Sequence, residues 1–250
     1  DLGSAGRFRT LADVLAFHGQ QSVCFTYDDR DSLMRSSAQL ARAVEQLAPI
    51  LDTPSITLIG HSQGGLVARK ALVQERDGAL QGEKLDLRLV TVSAPFAGIA
   101  AASPCGNPIL RIATLGLHDI ACWAVSGSKW FEITHASDFI RSPGHLAPQV
   151  RSHLKIVTDE QGSCRRTDPQ GRCLEDDYVF SLEEQRLSGL SDTTRTTGVE
   201  VRAGHVEIVG EGGTAPRKLI AVLQEQGIVP PTPREARSAF QALLARLYSE

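Results

Sequence analysis

Hydrophobic positions along the chain alternate between two periods. Val23-Cys-Phe-Thr-Tyr27 is β-branched and aromatic and predicts a strand. After Asp31-Ser32, Leu33, Leu40, Val44 and Leu47 follow at helical spacing until Pro49, which predicts a helix. The unit then repeats. Ser55-Ile-Thr-Leu-Ile-Gly60 predicts a second strand, and Leu66, Val67, Ala71, Leu72 and Val73 predict a helix ending near Gly78. Leu85 to Val92 predicts a third strand, and Leu154 to Thr158 and Val199 to Ala203 predict later ones. Ala215 to Gln226 and Arg234 to Leu247 read as two closing helices, separated by Pro230-Pro231-Thr232-Pro233. Strands alternating with helices predict a mostly parallel sheet covered by helices, an α/β arrangement.

Two stretches interrupt the alternation. Residues from about Gly98 to Pro148 carry Gly, Pro, Ser and apolar residues without a clean strand, and predict a lid-like insertion (98–148) over one sheet edge. Its apolar residues Ile109, Leu110, Ile112, Leu115, Leu117, Ile120, Trp123 and Val125 would form a lid or acyl pocket, or complete the core. The second stretch, 159–176, is a polar turn-rich loop with Cys164 and Cys173 at its ends. Cys105 and Cys122 form another sequence-local pair. Two disulfides, Cys105 to Cys122 and Cys164 to Cys173, are expected, with Cys24 left as a buried thiol on a central strand. Disulfides imply an extracytoplasmic protein, periplasmic or secreted. Paired metal-ligand spacing is absent from these cysteines, so no metal is expected.

Composition narrows the partners. The 250 residues, 42% hydrophobic, can fill a sizeable core, and 26 basic against 29 acidic residues give a formal charge of -3. That balance carries no footprint for nucleic acid. The apolar runs are far shorter than the roughly 20 residues of a spanning helix, so no transmembrane segment is expected. We find no interdomain linker, and expect a single domain over 1–250. No protein partner is legible.

The most specific motif is Gly60-His61-Ser62-Gln63-Gly64-Gly65, a G-x-S-x-G between a predicted strand and a predicted helix. A turn this tight strains the serine backbone and lifts its hydroxyl above the sheet. Gly60 and Gly64 are expected to be required because a Cβ at either would clash. The helix after it aims its positive end at a developing oxyanion near the Gln63 amide.

The chain resembles the α/β-hydrolase superfamily, and within it the lipase and GPI inositol-deacylase-like serine esterases that carry G-H-S-x-G-G. Phe25-Thr-Tyr-Asp-Asp-Arg-Asp-Ser-Leu33, the elbow GHSQGGLVAR from Gly60 to Arg69, and Thr91-Val-Ser-Ala-Pro-Phe-Ala-Gly98 carry the likeness, which covers roughly residues 1 to 210. The resemblance implies an α/β-hydrolase fold and a Ser-Asp-His triad. Members begin with a strand ending in His-Gly whose loop gives the second oxyanion amide. Asp1-Leu-Gly-Ser-Ala-Gly looks like that loop with its strand missing, which points to Leu2 or Gly3 as donor and to a truncated chain. Superfamily order of nucleophile, acid, base leaves His205 as base, since His18, His61, His118, His135, His145 and His153 precede every plausible acid. Asp159, Asp168, Glu175, Asp176 and Asp177 fall in the acid window. Asp177-Tyr-Val-Phe-Ser181 matches the lipase-like D-x-V-V/F spacing, so Asp177 is the expected acid and Asp159 its alternative.

The expected chemistry is hydrolysis of small-molecule or lipid carboxylic esters through an acyl-enzyme, without a cofactor. No P-loop or H-E-x-x-H motif competes. The same triad would serve an acyltransferase or thioesterase, and a catalytically inactive hydrolase fold used for binding is the alternative from another class.

Overall fold

The computed structural model describes residues 2–51, 55–74, 85–100, 102, 114, 127, 129–186, 194–210 and 213–249. The chain divides into two compact units. One comprises Asp1–Thr26, Thr158–Ser181 and Val199–Glu250, the other Tyr27–Val157 and Leu182–Gly198.

A four-stranded sheet is ordered β1-β2-β3-β6, with β1 Ser55–His61, β2 Asp86–Val92, β3 Val150–Asp159 and β6 Thr196–Arg202. β1 and β2 run parallel from Ser55 opposite Asp86 to His61 opposite Val92, and β2 pairs parallel with β3, Val92 opposite Ile156. This is the α/β-hydrolase architecture that the strand-helix alternation predicts. Parallel strands buried on both faces need apolar residues on both, and Leu87, Leu89, Val90 and Val92 of β2 are all fully buried.

The helix predicted after Asp31-Ser32 is α2, Leu33–Leu47, opened by the Ser32 hydroxyl, which accepts the Arg35 N–H at 3.3 Å. It buries Leu33, Ser36, Ser37, Ala41 and Val44. Val44 joins Leu58, Leu72, Leu87, Leu89 and Leu146 in one core cluster. Leu33 joins a second, with Leu66 and Val67 of α3 (Gln63–Ala71), Phe96, Ile133 and Phe139. Ile133 and Phe139 belong to the 98–148 insertion, whose described end carries two single-turn helices, α4 Lys129–Glu132 and α5 Asp138–Arg141. That end completes a core. Ile109, Leu110, Ile112, Leu115, Leu117, Ile120, Trp123 and Val125, and the expected Cys105–Cys122 pair, lie outside the described residues.

Three local expectations are corrected. Val23 to Tyr27 forms no strand, and Cys24 is an exposed free cysteine rather than a buried thiol. Val23 is 77% exposed. β-propensity records how well a side chain packs on a half-buried sheet surface, and Val23 to Tyr27 does not belong to the described sheet. At the N-terminus, Leu2–Phe17 is helix α1 where a loop carrying an oxyanion amide was expected. Leu11 and Val14 are buried at helical spacing, and Phe17 packs at 5.1 Å on Phe240 of α7, Arg237–Leu247. The closing helices α6, Arg217–Glu225, and α7 belong to the same unit. Finally, the 159–176 stretch carries the expected Cys164–Cys173 disulfide, but in place of an irregular loop it forms an antiparallel hairpin, β4 Cys164–Thr167 and β5 Cys173–Asp176. Among the described residues no helix is long and apolar enough to cross a membrane.

The cysteines give a direct check. Non-reducing peptide mapping is expected to return a crosslinked Cys164–Cys173 peptide, and Cys24 to alkylate in the native protein because it is exposed. Native alkylation of Cys164 would contradict the hairpin closure.

Candidate active site

The nucleophile elbow lies wholly in the second unit. Ser62 sits between β1 and α3 with φ 55° and ψ -130°. A positive φ is costly for any residue with a Cβ, on the order of 1–3 kcal/mol, and persists only where the surroundings enforce it. Here they do. The Ser62 N–H donates to the Val92 carbonyl at 2.9 Å, and its own carbonyl accepts the Gly65 N–H at 3.0 Å. Gln63 is the first residue of α3, so its N–H has no intrahelical acceptor and sits at the positive helix end. Beside it, the Tyr27 hydroxyl meets the Gln63 side chain. Burial, reinforced by the Asp29 charge, pushes Tyr27 up to about 12, so it stays protonated.

The glycine requirement differs in one position from expectation. A Cβ on Gly60 would fall on the Gly64 carbonyl and 2.7 Å from the Gly65 nitrogen. A Cβ on Gly65 would stand 2.7 Å from the Ala94 Cβ. A Cβ on Gly64 meets only the Tyr27 hydroxyl, at an ordinary 3.8 Å. Gly60 and Gly65, not Gly64, hold the close approach of strand and helix. Gly60→Ala is therefore expected to destabilise by about 1–3 kcal/mol, because backbone must move, whereas Gly64→Ala is neutral or stabilising by up to about 1 kcal/mol. Thermal melts of the two variants check this.

The other unit holds a histidine-carboxylate pair. His205 follows β6, is 7% exposed, and has Nδ1 3.0 Å from Oε1 of Glu160. Glu160 is 1% exposed and its carboxylate is fully supplied with donors. Oε1 also accepts the Thr158 hydroxyl at 2.9 Å, and Oε2 accepts the N–H groups of Val179 at 2.6 Å and Phe180 at 2.8 Å. Those donors favour the ionised form. An ionised carboxylate only accepts, so the Nδ1 of His205 carries a proton and its Nε2, in the neutral ring, is a base. The Phe180 ring stands edge-on to the imidazole at 4.9 Å and keeps that side dry.

Glu160, not Asp177 or Asp159, thus meets the His205 ring. Asp177, the expected acid, is buried, but its carboxylate accepts backbone N–H groups of Val206 and Glu207 and the Arg165 guanidinium instead. Asp159 accepts the Gln161 N–H at 3.2 Å. Asp176 accepts the Tyr178 N–H, Asp168 pairs with Arg172, and Glu175 with Arg165. The sequence did contain a signal for Glu160. Along β3, Leu154, Ile156 and Thr158 are buried in alternation with Lys155, Val157 and Asp159, and Glu160 continues the buried phase. Of the remaining expected site residues, Leu2 opens α1, and Gln63 directly follows Ser62 as required of an oxyanion donor.

The parallel sheet, the strained serine between strand and helix, and the buried histidine-carboxylate pair mark this chain as an α/β-hydrolase. A family model described as palmitoyl protein thioesterase matches residues 11–148, more than half of the chain. The chain belongs to that family. The match spans Ser62, while Glu160 and His205 lie beyond it, and the lipase and GPI inositol-deacylase-like resemblance holds at the level of the superfamily. Two solved structures are similar. One is described as a cell surface hydrolase from Lactobacillus plantarum WCFS1, 11% identical, TM-score 0.44, covering 84% of this chain and 68% of that one. The other is the Bacillus licheniformis lipase BlEst2 in mature form, 15% identical, TM-score 0.49, covering 81% of this chain and 77% of that one. No curated protein matches the sequence. The protein is an enzyme of the ester and thioester hydrolase type.

Proposed function

We propose that this protein hydrolyses long-chain acyl esters and thioesters, with Ser62 as nucleophile, His205 as general base and Glu160 as the acid that orients it. The observation that carries the reading is Ser62 itself, held at φ 55° at the head of α3 where nothing in the local sequence requires a serine for packing. In the proposed reaction, His205 Nε2 takes the Ser62 hydroxyl proton as Oγ bonds to the substrate carbonyl carbon. The carbonyl oxygen becomes an oxyanion, stabilised by the Gln63 N–H and the α3 dipole. The tetrahedral adduct collapses, the carbon-sulfur or carbon-oxygen bond breaks, and the leaving group takes the proton from His205. Water then repeats the sequence on the acyl-enzyme and releases the acid.

The family supports a fatty acyl thioester as substrate, and the resemblance read from the elbow supports the carboxylic ester. The Cys164–Cys173 disulfide supports an extracytoplasmic location. The test compares a palmitoyl thioester with a p-nitrophenyl ester of the same chain length, using fluorophosphonate labelling to count active serine. Hydrolysis of either, with one label per chain, is the expected result. An unlabelled, inactive chain would instead favour a hydrolase fold used for binding.

A further inference from the structure

The residue that the sequence pattern marks as the acid is buried and charged, yet it does not touch the base. Asp177 is 2% exposed, and its carbonyl and both carboxylate oxygens are directed to the backbone that carries His205 or to one cation. Its carbonyl accepts the His205 N–H at 2.9 Å. Both carboxylate oxygens lie 3.1 Å from the Val206 nitrogen, and Oδ2 accepts the Glu207 N–H at 3.0 Å. Three successive backbone N–H groups, at 205, 206 and 207, therefore end on one aspartate. The approach is close enough that a Cβ on Gly204 would fall on the carboxylate. A charged acceptor is not needed merely to satisfy three amides, and burying one is costly unless it is paired.

The pairing comes from the hairpin. Arg165 Nη2 reaches Asp177 Oδ1 at 3.0 Å, while Nη1 holds Glu175 at 3.2 Å. Arg165 is next to Cys164, whose disulfide to Cys173 closes the hairpin, and the Asp177 N–H donates to the Ser163 carbonyl at 3.2 Å. The other charges around the base belong to Glu160, to Glu207, which accepts the Gly204 N–H, and to Lys218, paired with Glu207.

We infer that Asp177 is a positioning residue for the general base: clamped by Arg165 of the disulfide-closed hairpin, it fixes the backbone from 205 to 207 and so sets where His205 carries its ring. The inference rests on the proposed role of His205. It assigns the hairpin insertion a purpose, since the insertion brings in the cation that makes a buried carboxylate at 177 tolerable. Glu160 sets the tautomer and charge of the imidazole, and Asp177 sets its place. The two roles have different kinetic signatures. A misplaced base slows the chemical step by about ten- to a hundred-fold, as expected for a displacement on the order of 1 Å. The Glu160 contact to the ring remains.

The test measures kcat and KM of Asp177→Asn, Arg165→Met and the double variant on a p-nitrophenyl ester, across the pH range in which histidine titrates. Rates are divided by the fraction of chains labelled to completion by a fluorophosphonate. Asp177→Asn is expected to lose about ten- to a hundred-fold in kcat per labelled site, with KM and the pH midpoint unchanged. Arg165→Met, at a partly exposed position that tolerates replacement, is expected to lose about three- to tenfold. The double variant is expected to be no worse than Asp177→Asn, because the two act as one clamp. A wild-type kcat per labelled site in Arg165→Met or Asp177→Asn would leave the clamp a purely structural feature and overturn the inference. A loss of about 10⁴-fold in Asp177→Asn with a shifted midpoint would overturn it in the other direction, by making Asp177 the acid. Failure of the underlying reading looks different: the wild type would then not label at Ser62.

Discussion

Ser62→Ala lowers kcat by at least about 10⁴-fold on both the ester and the thioester, and abolishes fluorophosphonate labelling, while the protein melts as a single unchanged species. The expected loss is large because, in the proposed reaction, the Ser62 Oγ is the atom that bonds to the substrate carbonyl carbon. Without Oγ no acyl-enzyme exists, and what remains is the modest catalysis that oxyanion donors and substrate binding provide to water. The fold is spared because Ser62 contributes through its backbone, whose N–H on Val92 and carbonyl to Gly65 are both kept by alanine. Alanine has the same Cβ as serine, so the cost of φ 55° is already present in the native protein. Retention of more than about a tenth of the activity in this variant would exclude Ser62 as nucleophile.

Glu160→Gln is expected to cost about 10⁴-fold in kcat, and Asp159→Asn less than a few-fold. The donors on the Glu160 carboxylate fix which way a glutamine amide would turn. Oε2 accepts two backbone N–H groups, Val179 and Phe180, which cannot move without unravelling the segment after the hairpin. A glutamine must place its oxygen there, because its NH₂ would meet donors with donors. The NH₂ then faces Thr158 and His205, where it donates to Nδ1. That interaction moves the ring proton to Nε2, the atom that has to accept the serine proton, and removes the negative charge that stabilises imidazolium. The Asp159 carboxylate accepts the Gln161 N–H of the turn that follows it, and the bond that Asp159 makes to the Ala203 N–H comes from its backbone carbonyl, which asparagine keeps, so its charge is expected to be dispensable. Steady-state rates of the two variants, with circular dichroism to confirm the fold, decide the matter. A damaged Asp159→Asn beside an active Glu160→Gln would move the acid by one residue and undo the assignment.

The structure departs from the sequence pattern at three places. Val23 to Tyr27 has the residues of a strand but lies outside the described sheet, with Val23 77% exposed. Asp177 has the spacing of a lipase-like acid, but the hairpin ahead of it supplies Arg165 as a partner, and the local pattern does not show which way a carboxylate turns. Gly64 lies inside the elbow motif, yet a Cβ there only touches Tyr27, while its neighbour Gly65 presses against Ala94 from the segment after β2.

What the sequence determined by itself is whatever a few consecutive residues can enforce. The strand, the strained Ser62 and the helix after it are contiguous, so GHSQGG specified the elbow directly. The alternation of apolar periods likewise specified the parallel sheet and the two closing helices, and the spacing of Cys164 and Cys173 specified a short covalent loop. Only the tertiary structure shows which carboxylate meets the His205 ring. Glu160 and His205 are 45 residues apart, and which acid meets the ring depends on how two distant loops are brought together and on strand parity at the end of β3. Each acid in that window carries the same charge and differs only in direction. Direction is set by hydrogen bonds to backbone groups, the Val179 and Phe180 amides for Glu160 and the Val206 and Glu207 amides for Asp177. Every residue but proline has such an amide, so its presence at a position distinguishes nothing until the chain is folded.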